Sequence, residues 1–306
     1  MKPIGTVKIH CISEALSPLT HMMGVSGNES IINREYVLHD GTMKSIPVIS
    51  GNAIRHKMVR EPGAMFLVDV LGLRGKLTID QANYLFTGGS LTESSISDNL
   101  RKIADMQTLF PLLRLLGGSL RNQVIGGSLF VLRGVMVCEE NRYVVERSLP
   151  DGFSLPEQAL KSCEDYVRPY QYTRGDASKR SDAGELLDTA DAKADSNLMI
   201  YAGQSVIPGA LFYHGFVLYN VSRLEIGAMI HSLRRWAEND GTIGGMARIG
   251  HGRLNTSIVF EPTEDFFGGA VDADECVSAY VEHVENHAEA CVGWLNDAFS
   301  AREKKK

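Results

Sequence analysis

Cysteine is scarce and scattered. The five cysteines (Cys11, Cys138, Cys163, Cys276, Cys291) are odd in number and form no CxxC pair. Neither a zinc site nor a disulfide framework is supported, so reduced and mostly buried thiols are expected. No apolar run reaches the roughly 18 residues needed to span a bilayer. The opening MKPIGTVKIHCIS alternates like a strand and lacks the apolar h-region of a secretory signal, so a cytoplasmic protein without a membrane partner is expected. There is no HExxH, no GxSxG and no P-loop pattern among the 306 residues. The histidines show no ligand spacing with a carboxylate, so His56, His231 and His251 read as polar surface residues, and neither metal nor cofactor is expected. Basic residues are absent from 255–300, which holds ten acids, so a chain of net charge −6 carries +4 outside that segment. An acidic C-terminal face on a mildly basic body leaves room for a nucleic-acid groove elsewhere.

What is present is the composition of a globular α+β protein: 44% hydrophobic, 22% charged and 30 glycines. Residues 4–13 read as a strand with Val7, Ile9 and Cys11 on one side. A polar, glycine-containing loop, SPLTHMMGVSGNES, follows. INREYVLHDGTMKSIPVI reads as a hairpin turning at Asp40-Gly41. SGNAIRHKMVRE starts a helix capped by Ser50 or Asn52. Residues 78–115 are helical in pattern, with a stop at Gly88-Gly89 and a break at Pro111, and strands return around Gly117-Gly118 and Gly126-Gly127. The polar stretch 168–197 is an exposed excursion. Strand-like alternation resumes around Pro208-Gly209, and SRLEIGAMIHSLRRWAEND is the clearest amphipathic helix. A glycine segment, the strand LNTSIVF and an acidic amphipathic helix over 272–299 complete the chain.

Three stretches carry chemistry suited to phosphates or bases. GGMARIGHGRL at 244–254 places Gly244, Gly245, Gly250 and Gly252 around Arg248, His251 and Arg253. It follows a helix and precedes a strand, the reverse of a dinucleotide fingerprint. Backbone N–H groups in a glycine-rich turn still cradle anions, and arginine adds charge-assisted donors. A tight turn with incidental arginines is the alternative. PVISGNAIRHKMVR puts Ser50, Gly51 and Asn52 at a helix start, where free N–H groups favour anions, with Arg55 and His56 on the first turns. An ordinary N-cap is its alternative. YQYTRGDASKR combines Tyr170, Tyr172, Arg174, Lys179 and Arg180, a mixture that can stack on bases and grip a backbone.

Those residues carry a family resemblance. GG-MARI-GHGR is similar to the C-terminal glycine-rich loop of the RAMP superfamily of CRISPR-associated proteins. IPVISGNAIRHKMVR resembles that superfamily's Pro-x-Ile-x-Gly-Ser/Asn-x-hydrophobic-Arg helix start. YLFTGGSLTES, LLGGSLRNQVIGGSLFV and VIPGALFYHGFVLYNVSRLEIGAMI look like segments of the backbone-subunit branch, and the match runs through most of residues 4–260. The resemblance implies a single RAMP domain over 1–306: a ferredoxin-like (RRM-like) palm, helical fingers at about 62–116 and a thumb hairpin at about 168–200. The acidic helix at 272–299 lies outside it. It implies a chain that polymerises along crRNA within a class 1 (Cascade-like) effector complex of type IV or type I. Partners would be crRNA, target DNA or RNA through guide pairing, copies of itself and other effector subunits. RNA contacts would fall on Ser50, Asn52, Arg55 and His56, on Gly244 to Arg253, and on the thumb at Tyr172, Arg174, Lys179 and Arg180. Target-cutting members carry an aspartate between the first strand and first helix, and here Asn33 stands at that place. No nuclease activity is therefore expected. The alternative is a RAMP endoribonuclease that cuts target or precursor RNA.

Overall fold

The computed structural model describes residues 5–26, 29–91, 100–151, 154–155, 160–174, 185, 199–262 and 272–299. Six strands form a central antiparallel sheet. From edge to edge they are Leu254–Pro262, Gly5–Ala15, Leu211–Val221, Leu129–Met136, Thr42–Ile49 and Arg34–His39. The first four of these, taken in chain order with two helical runs, read β-α-β-β-α-β. The first run is helical throughout 51–70, with a π-helical segment Arg55–Arg60 between Gly51–Ile54 and Glu61–Val70. The second is Arg223–Glu238. In space the four strands lie fourth, first, third, second.

Alternation along Gly5–Ala15 decides which layer each side chain joins. Val7, Ile9, Cys11 and Ala15 face the helices and share a core with Phe216, Met229 and Leu233. Ile12 points the other way, into a small second core with Val137, Val145, Leu155 and Tyr213. That second core covers only part of the sheet's other face.

Local signals act where the sequence places them. Ser50 caps the first helical run through its Oγ, which accepts from Ala53 N at 3.2 Å. Asp40 and Gly41 both adopt positive φ in the hairpin turn, the geometry a two-residue turn between twisted strands requires. Helix Ile79–Thr87 ends at Gly88, and Pro111 separates Leu100–Leu109 from Pro111–Leu116. Ser222 and Glu225 form a capping box at the start of Arg223–Glu238.

Four expectations need correction. The loop at 17–30 contains strands: Met22–Ser26 and Glu29–Ile32 join Met199–Val206 and Val167–Arg174 in a second, four-stranded sheet, where Glu29–Ile32 pairs in parallel with Met199–Val206. The strand that joins Glu29–Ile32 to the rest of that sheet lies some 170 residues later in the chain, beyond the reach of local pattern. The helical run through position 62 continues unbroken to Val70, so the helical excursion starts after it. The acidic segment is two helices, Ala273–Asn286 and Ala288–Ala298, separated at His287. His231 is not a polar surface residue. Its ring lies 4.2 Å from that of Phe66 and 5.8 Å from that of Tyr280, and burial first, then the charges of Arg235 and Arg234, lower its pKa to about 4.

Three acids of the C-terminal helices pair at the surface with basic neighbours. Asp274 meets Arg234 at 2.7 Å, Glu275 meets Arg223 at 2.7 Å, and Asp297 meets Lys102 at 2.8 Å. Each is a surface pair and contributes little alone. Together they show what the acidity matches: the outer faces of helices Arg223–Glu238 and Leu100–Leu109.

Candidate nucleic-acid interface

The glycine loop leaves helix Arg223–Glu238 and returns as the edge strand. Its neck is closed by bonds from Ile243 N to Gly252 O at 2.9 Å and from Leu254 N to Gly241 O at 3.0 Å. Two glycines are required by contact. At Gly244 (φ +87°) a Cβ would stand 2.4 Å from Thr20 O; at Gly252 (φ +83°) it would stand 2.1 Å from Ile243 O. The loop is zipped to residues 17–20: Gly245 N donates to Thr20 O at 2.7 Å, Thr20 Oγ1 donates to Gly245 O at 2.9 Å, and Gly252 N donates to Pro18 O at 2.8 Å. Beyond the zipper the tip forms one tight turn, Ala247–Ile249. The N–H groups of Met246, Ala247 and Arg248 find no acceptor among the described residues. The Arg248 side chain is exposed beside them and no described acid pairs with it. Arg253 is exposed and 3.7 Å from Asp240. Consecutive free N–H groups with an unpaired guanidinium form a cradle for an anion.

The helix start lies at the other end of the same strap. His21 Nε2 accepts from Ser50 N at 3.0 Å, and His21 O accepts from Asn33 N at 2.7 Å. Burial lowers the pKa of His21, in keeping with a neutral ring whose Nε2 is an acceptor. Residues 17–21 thus tie the glycine loop to the helix start. The N–H groups of Gly51 and Asn52 have no described acceptor. They open, with Ser50, Arg55 and Asn33, into a cavity of about 450 Å³.

This cavity occupies the notch where strand Thr42–Ile49 leaves the sheet. Its other wall is the strand Leu129–Met136, which carries a bulge. Leu132 faces Gly215 and Val135 faces Tyr213, so two intervening residues, Arg133 and Gly134, are opposed by one. Bulges re-aim side chains, and here Arg133 reaches the cavity, where it forms an ion pair with Glu35.

Arg55 has a divided role. Its guanidinium lines the cavity, yet Nη2 donates to the carbonyl of Leu116, which fastens the first helical run to helix Pro111–Leu116. Its Nε is buried without a partner, and burial lowers its pKa. Arg60, next on the π-helical segment, is fully committed inside: it donates to Gly117 O at 3.1 Å and Leu85 O at 3.5 Å. Burial, then the nearby Arg55 charge, lowers its pKa to about 10. His56 does not line the cavity and stands 3.8 Å from Glu61.

The third region joins the first through aromatic rings. Tyr172 lies opposite Tyr201 in the antiparallel pair, with centroids 5.2 Å apart and planes 14° apart. Tyr170 is 6.3 Å from Tyr172 and, on its other side, 6.1 Å from His251 of the glycine loop. The row therefore runs from the glycine loop along the second sheet. Arg174 ends the strand Val167–Arg174, and Lys179 and Arg180 lie outside the described residues.

The structure brings together the glycine loop, the helix start and the tyrosines, three stretches that are distant in sequence. It leaves His56 aside and shares Arg55 with the scaffold. Thr20 and His21, which hold the parts together, went unselected because a polar loop carries no periodic signal. Tyr201 went unselected because its importance comes from the strand opposite. N–H cradles, an unpaired arginine and stacked rings suit a single strand of nucleic acid, backbone and bases alike. Among the described residues no group of three His, Cys, Asp or Glu side chains could hold a metal ion.

No family model and no curated protein matches the chain. Among solved structures the fold is similar to that of a chain in a "Type IV-B CRISPR Complex". The TM-score is 0.58 and the identity 16%, with 87% of this chain and 96% of that chain covered. At that identity the likeness is one of fold.

Proposed function

We propose that this protein is the crRNA-binding backbone subunit of a class 1, type IV-like effector complex, and that it holds guide RNA without cutting it. One observation carries the reading: the Pro18–His21 strap couples the glycine loop to the Ser50 helix start, while His251 continues into the tyrosine row. The order fourth, first, third, second of the β-α-β-β-α-β strands supports a ferredoxin-like palm. The helices after Val70 would be its fingers, and the strands Val167–Arg174 and Met199–Val206 the base of its thumb. Copies stack along the guide, with other effector subunits at the ends. Base pairing supplies specificity for target DNA or RNA, and the protein reads backbone and shape. No described helix is long and apolar enough to cross a membrane, and the cytoplasm is the proposed compartment.

The test is RNA binding as a function of salt. The logarithm of affinity for single-stranded RNA should fall linearly with the logarithm of salt concentration. Replacing both Arg248 and Arg253 by alanine should reduce the slope by about 1.4, at roughly 0.7 per phosphate contact. Binding that ignores salt would overturn the reading.

The cavity beside Asn33 holds one carboxylate, Glu35, and Arg133 engages it. A carboxylate paired with arginine is a poor general base. Labelled RNA incubated with the protein, with and without divalent metal, should remain intact. Metal-dependent fragments abolished by Glu35→Gln would instead support an endoribonuclease.

A further inference from the structure

The second face of the central sheet is unevenly covered. Toward one end lies the small core of Ile12, Val137, Val145, Leu155 and Tyr213. Toward the other end the face is bare, and the bare part is aromatic. Phe130 is 56% exposed and Tyr219 49%. Their rings meet edge-on with centroids 4.9 Å apart. Leu132, also exposed, lies two residues from Phe130 on the same strand, and Lys8 stands across the sheet, in register with Val217, the residue opposite Phe130. Exposed apolar patches of this kind mark contact surfaces.

Two features select the partner. Phe130 is not isolated: it also lines the cavity that holds Arg55, Arg133 and the Ser50–Asn52 helix start. The cavity's 450 Å³ lies within the range of sites for small ligands. An aromatic face beside guanidinium groups and free backbone N–H groups matches the two halves of a nucleotide, a flat base and an anionic phosphate. An apolar protein partner would use the ring and leave the cationic cavity unmatched.

We propose that Phe130, buttressed edge-on by Tyr219, is a nucleobase platform: one base of a bound RNA strand stacks on it while that nucleotide's phosphate occupies the adjoining cavity at Arg55 and Arg133. This site is additional to the glycine loop and the tyrosine row, and it rests on the reading that the chain binds RNA. Stacking needs only a π-face, so the platform accepts any base. The Arg133–Glu35 pair at the cavity opens when the phosphate displaces the carboxylate.

The experiment uses the full chain, freed of nucleic acid, with a labelled single-stranded RNA as probe. Phe130→Ala should weaken binding by about 5- to 150-fold without changing the melting temperature appreciably, because the side chain is exposed. Phe130→Trp should preserve affinity, and its added fluorescence should be quenched as RNA binds; Trp236 and Trp294 are buried and supply a constant background. Wild-type affinity in Phe130→Ala, or an unquenched Phe130→Trp, would overturn the platform while leaving RNA binding by the chain intact. Absence of RNA binding by the wild type would overturn both. Adenosine monophosphate is the second arm. Quenching by the mononucleotide at the concentrations where RNA acts would replace a strand site with a free-nucleotide site. A change in oligomeric state with unchanged RNA affinity would assign the patch to a contact between copies and overturn the proposal.

Discussion

Gly252→Ala is expected to dismantle the glycine loop. The new Cβ would stand 2.1 Å from the Ile243 carbonyl oxygen, at a φ of +83°. The left-handed conformation costs an L-residue about 1–2 kcal/mol, and the forced displacement of backbone adds about 1–3 kcal/mol. The cost falls at the neck, where Gly252 N bonds to Pro18 O and Ile243 N to Gly252 O. Release of the neck frees the strap, so RNA affinity should drop at least about tenfold, some 1.4 kcal/mol. Gly250→Ala is the control. Gly250 has a φ of +90° with nothing near its Cβ position, so the change should cost only the conformational part, about 1 kcal/mol. Urea denaturation of the two variants measures the difference. Equal midpoints would mean that the loop is not packed as described.

Glu225→Ala should destabilise the joint between helices Arg223–Glu238 and Pro111–Leu116 by about 3–5 kcal/mol. Glu225 is fully buried at the start of helix Arg223–Glu238. One oxygen accepts from Ser222 N at 2.5 Å and the other pairs with Arg114 of helix Pro111–Leu116. Burial already lowers the pKa of Arg114, so removing its carboxylate leaves a partly desolvated cation with only the Asn220 carbonyl. The capping box is lost as well. Arg114→Ala alone should cost less than Glu225→Ala, because Glu225 keeps the Ser222 bond. The double variant should show coupling of about 1–3 kcal/mol. Thermal unfolding reads all three, and additive losses would refute a shared joint.

Much of this molecule was legible because its signals are local. Ser50 announces a helix start, Asp40-Gly41 a hairpin and Pro111 a break, and each acts through bonds within four residues. The acidic segment announces a solvated face, and the structure adds that Asp274, Glu275 and Asp297 pair at the surface with Arg234, Arg223 and Lys102. The candidate site was legible as three separate stretches. Their meeting was not, because the strap that joins them works through His21 and Thr20, whose partners lie 29 and 225 residues away. Arg55 illustrates the limit. Its position on the first helical turn suggested a phosphate ligand, but its Leu116 partner lies 61 residues on, at the end of another helix. His231 likewise became part of a helix interface because Phe66 and Tyr280 converge on it from two other elements. Phe130 escaped notice because a phenylalanine in a strand ordinarily belongs to a core, and only the half-covered sheet reveals that this one does not.

On the proposed function, copies of this protein assemble on a guide RNA. Electron microscopy of the protein purified with its co-purifying nucleic acid tests it most directly. Arcs or helical filaments of repeated copies that fall apart on ribonuclease treatment are expected. Nucleic-acid-free single copies at every concentration, unchanged by added RNA, would contradict it.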